Sequence, residues 1–297
     1  VKFPASLLRR AIVILSVVVL ILTIGAVVAV GYRIVEGVRM ARQFSSTFSL
    51  PKSSEPVIGN LGGAPVSVPI NYTFLMTEYD GDPNVFAPER RQWTPPVRTY
   101  ASRINSLALT VHLPDFAPRT VENEASYYRS RRTFGEPEEW LEIGVSAGKN
   151  FLVRDEVLKT GRIYDRERII EGFAGPVNPI FKEIPRHVSY RRQAELRHGL
   201  IEYRPIGFPE DAEANLYNYR LFFHEVDGGD VTFIKCLANG SPFEGSPRND
   251  CTHEFITYPE IRAEVSLSYD ARSLHRWMEY ESRARRLILD FRVQPDG

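Results

Sequence analysis

The chain has 297 residues, 43% of them hydrophobic and 25% charged, with 37 basic side chains against 37 acidic ones. That length and apolar content suffice to bury a sizeable core, which excludes a disordered chain. The zero net charge is unevenly placed: Lys2, Arg9, Arg10, Arg33, Arg39 and Arg42 face only Glu36 before Gln43. The remainder is mildly acidic, which speaks against a nucleic-acid-binding domain.

Residues 1–10 read as a short cytoplasmic tail. Between Arg10 and Arg33 the run AIVILSVVVLILTIGAVVAVGY carries no charge. At a rise of roughly 1.5 Å per residue, a helix from Ala11 to Tyr32 spans the ~30 Å hydrocarbon layer of a bilayer. The alternative is a cleaved signal peptide, with Lys2, Arg9 and Arg10 as its basic region and Ala29-Val30-Gly31 as its cleavage site. The apolar run exceeds the ~7 to 15 residues of such a segment. Basic residues on the two flanks tie, so charge does not orient the helix. The large C-terminal part and the cysteine pair described below place that part outside the cytoplasm.

Residues 33–62 read as a juxtamembrane segment. Ile34, Val35, Val38 and Ala41 recur with helical spacing against Arg33, Arg39 and Arg42, as in an interfacial collar or a helix end with snorkelling arginines. The stretch SSTFSLPKSSEPVIGNLGG, Ser45 to Gly63, has linker composition. One extracytoplasmic domain then fills residues 63–297, with a possible division into two lobes near 199–209.

The domain opens on Val66, Val68, Ile70, Tyr72, Phe74 and Met76, a period of two that predicts one strand, pushed toward a sheet edge by Pro69. Further strands are predicted at Leu107 to Leu113, Trp140 to Ala147, Leu216 to His224, Val231 to Cys236 and Ile261 to Tyr269. Tyr127 to Thr133 reads as a surface connection. Helices are predicted at Arg166 to Phe173 and Tyr190 to His198, and after Asp270, where Leu274, Trp277, Met278, Ala284, Leu287, Ile288 and Phe291 share a face. Trp277 and Met278 are read as core anchors. The sum is a β-rich α+β fold, with a mixed or antiparallel sheet and a C-terminal helix.

Cys236 and Cys251 bracket LANGSPFEGSPRND, a stretch of turn-forming residues between two predicted strands. A disulfide across them closes a loop of about 15 residues and stabilises the fold by roughly 3 kcal/mol in the chain-entropy picture. Such a bond requires an oxidising compartment. The Cys-x-x-Cys spacing of a redox centre is absent.

Catalytic signatures are weak. The six histidines, at 112, 187, 198, 224, 253 and 275, form no known metal-ligand spacing. A zinc ion held by His224, His253 and a carboxylate is conceivable, as the pairs His224-Glu225 and His253-Glu254 end predicted strands. Gly144 to Gly148 departs only slightly from a serine-nucleophile elbow, yet it sits at a strand end without the following helix. Glu138, Glu139 and Glu142 could serve a glycan hydrolase, but the chemistry needs two acids and the chain offers 37. No phosphate-cradling loop occurs. Arg186, Arg191, Arg192 and Arg197, interleaved with Tyr190 and Tyr203, form the densest basic patch, either a surface for an anionic partner or the solvated face of a helix.

These features predict a single-pass inner-membrane protein of the bacterial envelope, its domain in the periplasm, of non-catalytic binding, adaptor or immunity type. It needs no cofactor or metal, contacts the bilayer through residues 11–32, and meets a protein partner. The alternative is an anchored hydrolase acting on cell-wall or lipid material, which a deep cleft joining His224 or His253 to carboxylates would favour.

Overall fold

The computed structural model describes residues 54–74, 77–84, 87–132, 139–160, 163–174, 189–206, 219–237 and 250–294. The expected anchor at Ala11 to Tyr32, the juxtamembrane collar and the start of the linker lie outside them. Among the described residues no helix is long and apolar enough to cross a membrane.

The strands in chain order are β1 (Val57–Leu61), β2 (Ala64–Val68), β3 (Glu78–Tyr79), β4 (Arg103–His112), β5 (Trp140–Ser146), β6 (Ser189–Arg192), β7 (Ile201–Ile206), β8 (Tyr219–Val226), β9 (Gly229–Leu237), β10 (Asp250–Ile256) and β11 (Glu264–Asp270). They form one sheet in the order β2-β1-β4-β5-β11-β10-β9-β8-β7-β6, with β3 also on β4. Every pairing is antiparallel except β1 with β4, so the sheet is mixed. The helices are α1 (Glu124–Arg132), α2 (Asp155–Thr160), α3 (Arg166–Ala174) and α4 (Trp277–Asp290). This is the sheet-rich α+β domain with a C-terminal helix that the periodicity implied.

Alternation sorts the central strands into two faces. One carries Leu107, Leu109 and Val111 of β4, Leu141, Ile143 and Val145 of β5, Val265, Leu267 and Tyr269 of β11, and His253 and Phe255 of β10. Helix α4 lays Trp277, Tyr280, Ala284 and Ile288 on it, all buried and spaced at i, i+3, i+7 and i+11. That stripe closes the main core, since a helix with one apolar face is stable only where that face is covered. The opposite face has a smaller apolar cluster, where Leu221, Phe223 and Phe233 pack with Tyr164 and with Ile169 and Ile170 of α3.

Several expectations need correction. The linker was expected to run to Gly63, but β1 already belongs to the sheet, paired with both β2 and β4. Gly59, counted there as linker composition, is a close-packing residue: a Cβ at this position would lie 2.7 Å from Ile104 Cγ1 and from the Ser102 carbonyl oxygen. The strand expected from Val66 to Met76 stops at Val68, because Pro69 lacks an N–H and leads into a 3-10 turn at Ile70–Tyr72. Phe74 returns to the sheet separately, its N–H donating to the Ala108 carbonyl at 3.2 Å.

Tyr127, expected on a surface connection, is 1% exposed and anchors α1 edge-on against Trp140, ring centres 5.2 Å apart. One buried aromatic among arginines and serines holds this helix, too little to show as a stripe. Tyr190 to His198, expected as a helix, contains strand β6 and then a tight turn closed by reciprocal backbone hydrogen bonds of 2.9 and 3.0 Å between Arg197 and Leu200. Met278, expected in the core, is 56% exposed, while Tyr280 takes the inward place on α4.

Of the stretch 199–209, named above for a division into lobes, the described part, 199–206, contributes β7, hydrogen-bonded to β6 and β8 on its two edges. Residues Leu50–Gly297 cluster as one compact unit.

Candidate functional site

Cys236 and Cys251 face each other across β9 and β10, and their sulfurs are bonded. The expected staple is therefore present, between the strand ends that the turn-rich stretch joins.

The same two strands hold the principal buried polar network. Thr232 of β9 and His253 of β10 point toward α4, where both meet Oε2 of Glu281: the Thr232 hydroxyl donates at 2.9 Å, and His253 Nε2 lies 3.1 Å away. Arg285, one helical turn on, donates to Oε1 at 3.2 Å. On the far side of the imidazole, the Tyr269 hydroxyl lies 3.3 Å from Nδ1.

Protonation states follow from the environment. Burial holds the His253 imidazole below its usual range, with the Glu281 hydrogen bond and charge opposing. Burial pushes the Glu281 carboxyl up, but His253, Thr232 and Arg285 together bring it below the usual carboxylate range. A neutral imidazole beside a carboxylate must donate from Nε2, which leaves Nδ1 to accept from Tyr269. Each polar group then has a partner.

This chain of tyrosine, histidine and glutamate has the connectivity of an acid–base relay. The imidazole and phenol have no access, His253 being 0% exposed and Tyr269 2%, and the Glu281 side chain is 15% exposed. It joins helix to sheet rather than protein to substrate.

The zinc site conceived from His224 and His253 is not assembled. Adjacent residues on a strand point to opposite faces, so His253 faces α4 while Glu254 faces away, and neither His-Glu pair converges. The His224 and His253 rings instead lie 4.9 and 6.0 Å from the Trp277 indole. Among the described residues no group of three His, Cys, Asp or Glu side chains is arranged to hold a metal ion.

The arginine patch is also dispersed. Arg191 and Arg192 are exposed on β6 but, as neighbours on a strand, point to opposite faces; Arg197 is exposed in the following turn. Arg186 lies outside the described residues, as does Glu138. Glu142 is half-buried on β5, and Ser146 ends that strand ahead of a 3-10 turn, without the helix a nucleophile elbow needs.

What remains open is half of the sheet's second face. There β4, β5, β11 and β10 present Ala108, Gly144, Ser146, Ser266 and Thr252, all half-buried. A Cβ added at Gly144 would meet only Ser266, at 3.7 and 3.9 Å, so among the described residues nothing packs directly on that glycine, while toward one end of the same strands Thr110 is fully buried and Trp140 is covered by Tyr127 of α1. Three half-buried carboxylates stand on it, Glu142, Glu254 and Glu264, with Lys235 3.9 Å from Glu254.

Burial pushes the Glu254 and Glu264 carboxyls up; the Glu254 charge adds to the effect at Glu264, while Lys235 opposes it at Glu254 and the Tyr164 hydroxyl, 3.4 Å away, at Glu264. Beside this floor runs a groove of about 970 Å³, lined by Val157, Tyr164, Arg166, Tyr203, Glu225 and Glu264 among others. Sequence reasoning missed this surface, because small residues on alternate strand positions read simply as the outward side of each strand.

No family model matches the chain, and no curated protein matches it. Two solved structures are similar. An immunity protein of the Stenotrophomonas maltophilia type IV secretion system is 18% identical, with a TM-score of 0.46, over 81% of this chain and 94% of that one. The iron-regulated outer membrane lipoprotein FrpD of Neisseria meningitidis is 10% identical, with a TM-score of 0.43, over 82% and 93%.

Proposed function

We propose that this chain is a non-catalytic binding protein of the bacterial envelope, of adaptor or immunity type, held in the inner membrane by residues 11–32 with its domain in the periplasm. The observation that carries the reading is the contrast between the sealed His253 imidazole and the open half-face of the sheet. The imidazole and phenol best connected for acid–base chemistry, His253 and Tyr269, are shut under α4. The accessible floor offers small side chains and three carboxylates, which suit a protein surface bearing lysine or arginine. The disulfide supports the compartment, since such bonds persist in oxidising spaces. The uncharged run from Ala11 to Tyr32 supports the anchor.

The test is site-specific photocrosslinking in intact cells. A photoreactive residue at Ser268, exposed on the open face, should give one discrete protein adduct, and the same residue at Asp290, exposed at the end of α4, should give none. Absence of any adduct from Ser268, Thr252 and Lys235, or equal labelling from Asp290, overturns the assignment of this face.

A further inference from the structure

We propose that His198, His275 and Met278 form a surface site for copper(I), a function separate from the partner-binding face. His198 occupies a tight turn at φ 54°, followed by Gly199 at φ 81°. A left-handed backbone is uncommon outside glycine, although histidine adopts it more readily than most side chains, and the turn type favours asparagine or glycine there. The turn is held in place: the indole N–H of Trp277, buried at the start of α4, donates to the His198 carbonyl at 2.9 Å. This bond brings the exposed His198 ring beside the exposed ring of His275, centre to centre 6.2 Å. Two imidazoles on one ion, with metal–nitrogen bonds of roughly 2.0 Å, place their ring centres about 5 to 6.5 Å apart.

His275 is already oriented as a ligand. Its Nδ1 lies 3.0 Å from the Arg272 carbonyl, which can only accept, so Nδ1 carries a proton and Nε2 is the nitrogen left to bind an ion. A ligating histidine fixed through its other nitrogen is the usual arrangement at metal centres.

The third donor explains the exposure of Met278. Met278 and Ser282 are exposed on α4, and His275 is exposed in the 3-10 turn Ala271–Arg276 that runs into it, three residues before Met278, a spacing that in helical turns brings side chains to one edge. A thioether selects soft ions, and with two imidazoles it favours copper(I) over zinc. Charge points the same way. Asp270 and Glu279 already pair Arg272 and Arg276, but Arg197 lies close by, and a single added positive charge is tolerated there better than a double one.

The experiment uses the full chain in detergent micelles, labelled at the methionine methyl groups, with silver(I) as a redox-inert stand-in for copper(I). One equivalent of silver should shift the Met278 methyl signal and leave those of Met40 and Met76 in place. His198→Asn, which suits the left-handed turn, and Met278→Leu should each weaken silver binding at least tenfold without lowering the melting temperature. Zinc should not move the Met278 signal. An unshifted Met278 methyl at several equivalents, silver affinity unchanged in His198→Asn, or displacement of silver by equimolar zinc overturns the site.

Discussion

His253 Nε2 lies 3.1 Å from Oε2 of Glu281, so the middle of the sheet is tied to the C-terminal helix by a hydrogen bond to a charge inside the core. Thr232 donates to the same oxygen from the next strand. One carboxylate thus registers α4 against both strands of the disulfide-linked pair.

Removing that carboxylate strands two buried donors. Glu281→Ala should therefore cost about 2 to 4 kcal/mol, since unsatisfied buried groups carry their full desolvation penalty. Urea unfolding measures it. Replacing His253 by Phe in the same chain should recover part of the loss, giving a coupling of ~1 kcal/mol or more in a double-mutant cycle. Additive effects of the two substitutions count against the shared role.

The network also sets a pH dependence. His253 is held below its ordinary value of 6.5, so the unfolded chain binds this proton more readily than the folded one. Its contribution is fully present above 6.5 and is lost as pH falls through the folded-state value. Glu281 has the same sign in a lower window, below its ordinary 4.5. Glu254 and Glu264 act oppositely: with values raised above 4.5, the folded state takes up their protons first, and stability gains as pH falls toward 4.5. Between pH 6.5 and 5 the wild-type chain should lose stability relative to His253→Phe. Parallel stability–pH curves for the two proteins rule out the histidine as the cause.

Helix α4 separates inward from outward positions sharply. Ile288 is fully buried, and Ile288→Ala should cost about 2 to 4 kcal/mol in chemical unfolding. Met278 sits ten residues earlier in the same hydrophobic pattern yet is 56% exposed, and Met278→Ser should change stability by less than ~0.5 kcal/mol. A comparable loss at both positions contradicts the orientation of the helix.

That pair shows where the sequence was legible. Periodicity located α4 through Leu274, Trp277, Ala284 and Ile288 and located β5, β9 and β11 through their alternation, because each buries one continuous face. It assigned Met278 inward because hydrophobicity alone does not separate neighbouring positions on a helix, and Tyr280 filled the place instead. Gly59 read as linker because its smallness serves contact with Ile104, distant in sequence. Tyr190 to His198 read as a helix because its arginines suit one, whereas pairing with β7 decides the outcome. The His253–Glu281 contact has no local spacing to reveal it, as only the packing of α4 on β10 brings the two together. The open acidic face needed the strand order, which puts Glu254 and Glu264 on neighbouring strands.

The cysteine pair joins stability to compartment. The bridge closes a sequence separation of 15 residues between the antiparallel neighbours β9 and β10, and loop-closure entropy assigns it roughly 3 kcal/mol. Cys236→Ser with Cys251→Ser should lower stability by that amount and leave the pairing of β9 with β10 intact, because Ile234, His253 and Phe255 remain packed beneath α4. In intact cells, alkylation should label neither thiol until a reductant is added, and a gel shift reads the difference. Thiols labelled without reductant, by a reagent that reaches only the cytoplasm, would put the domain on the reducing side of the membrane and remove the basis for an envelope role.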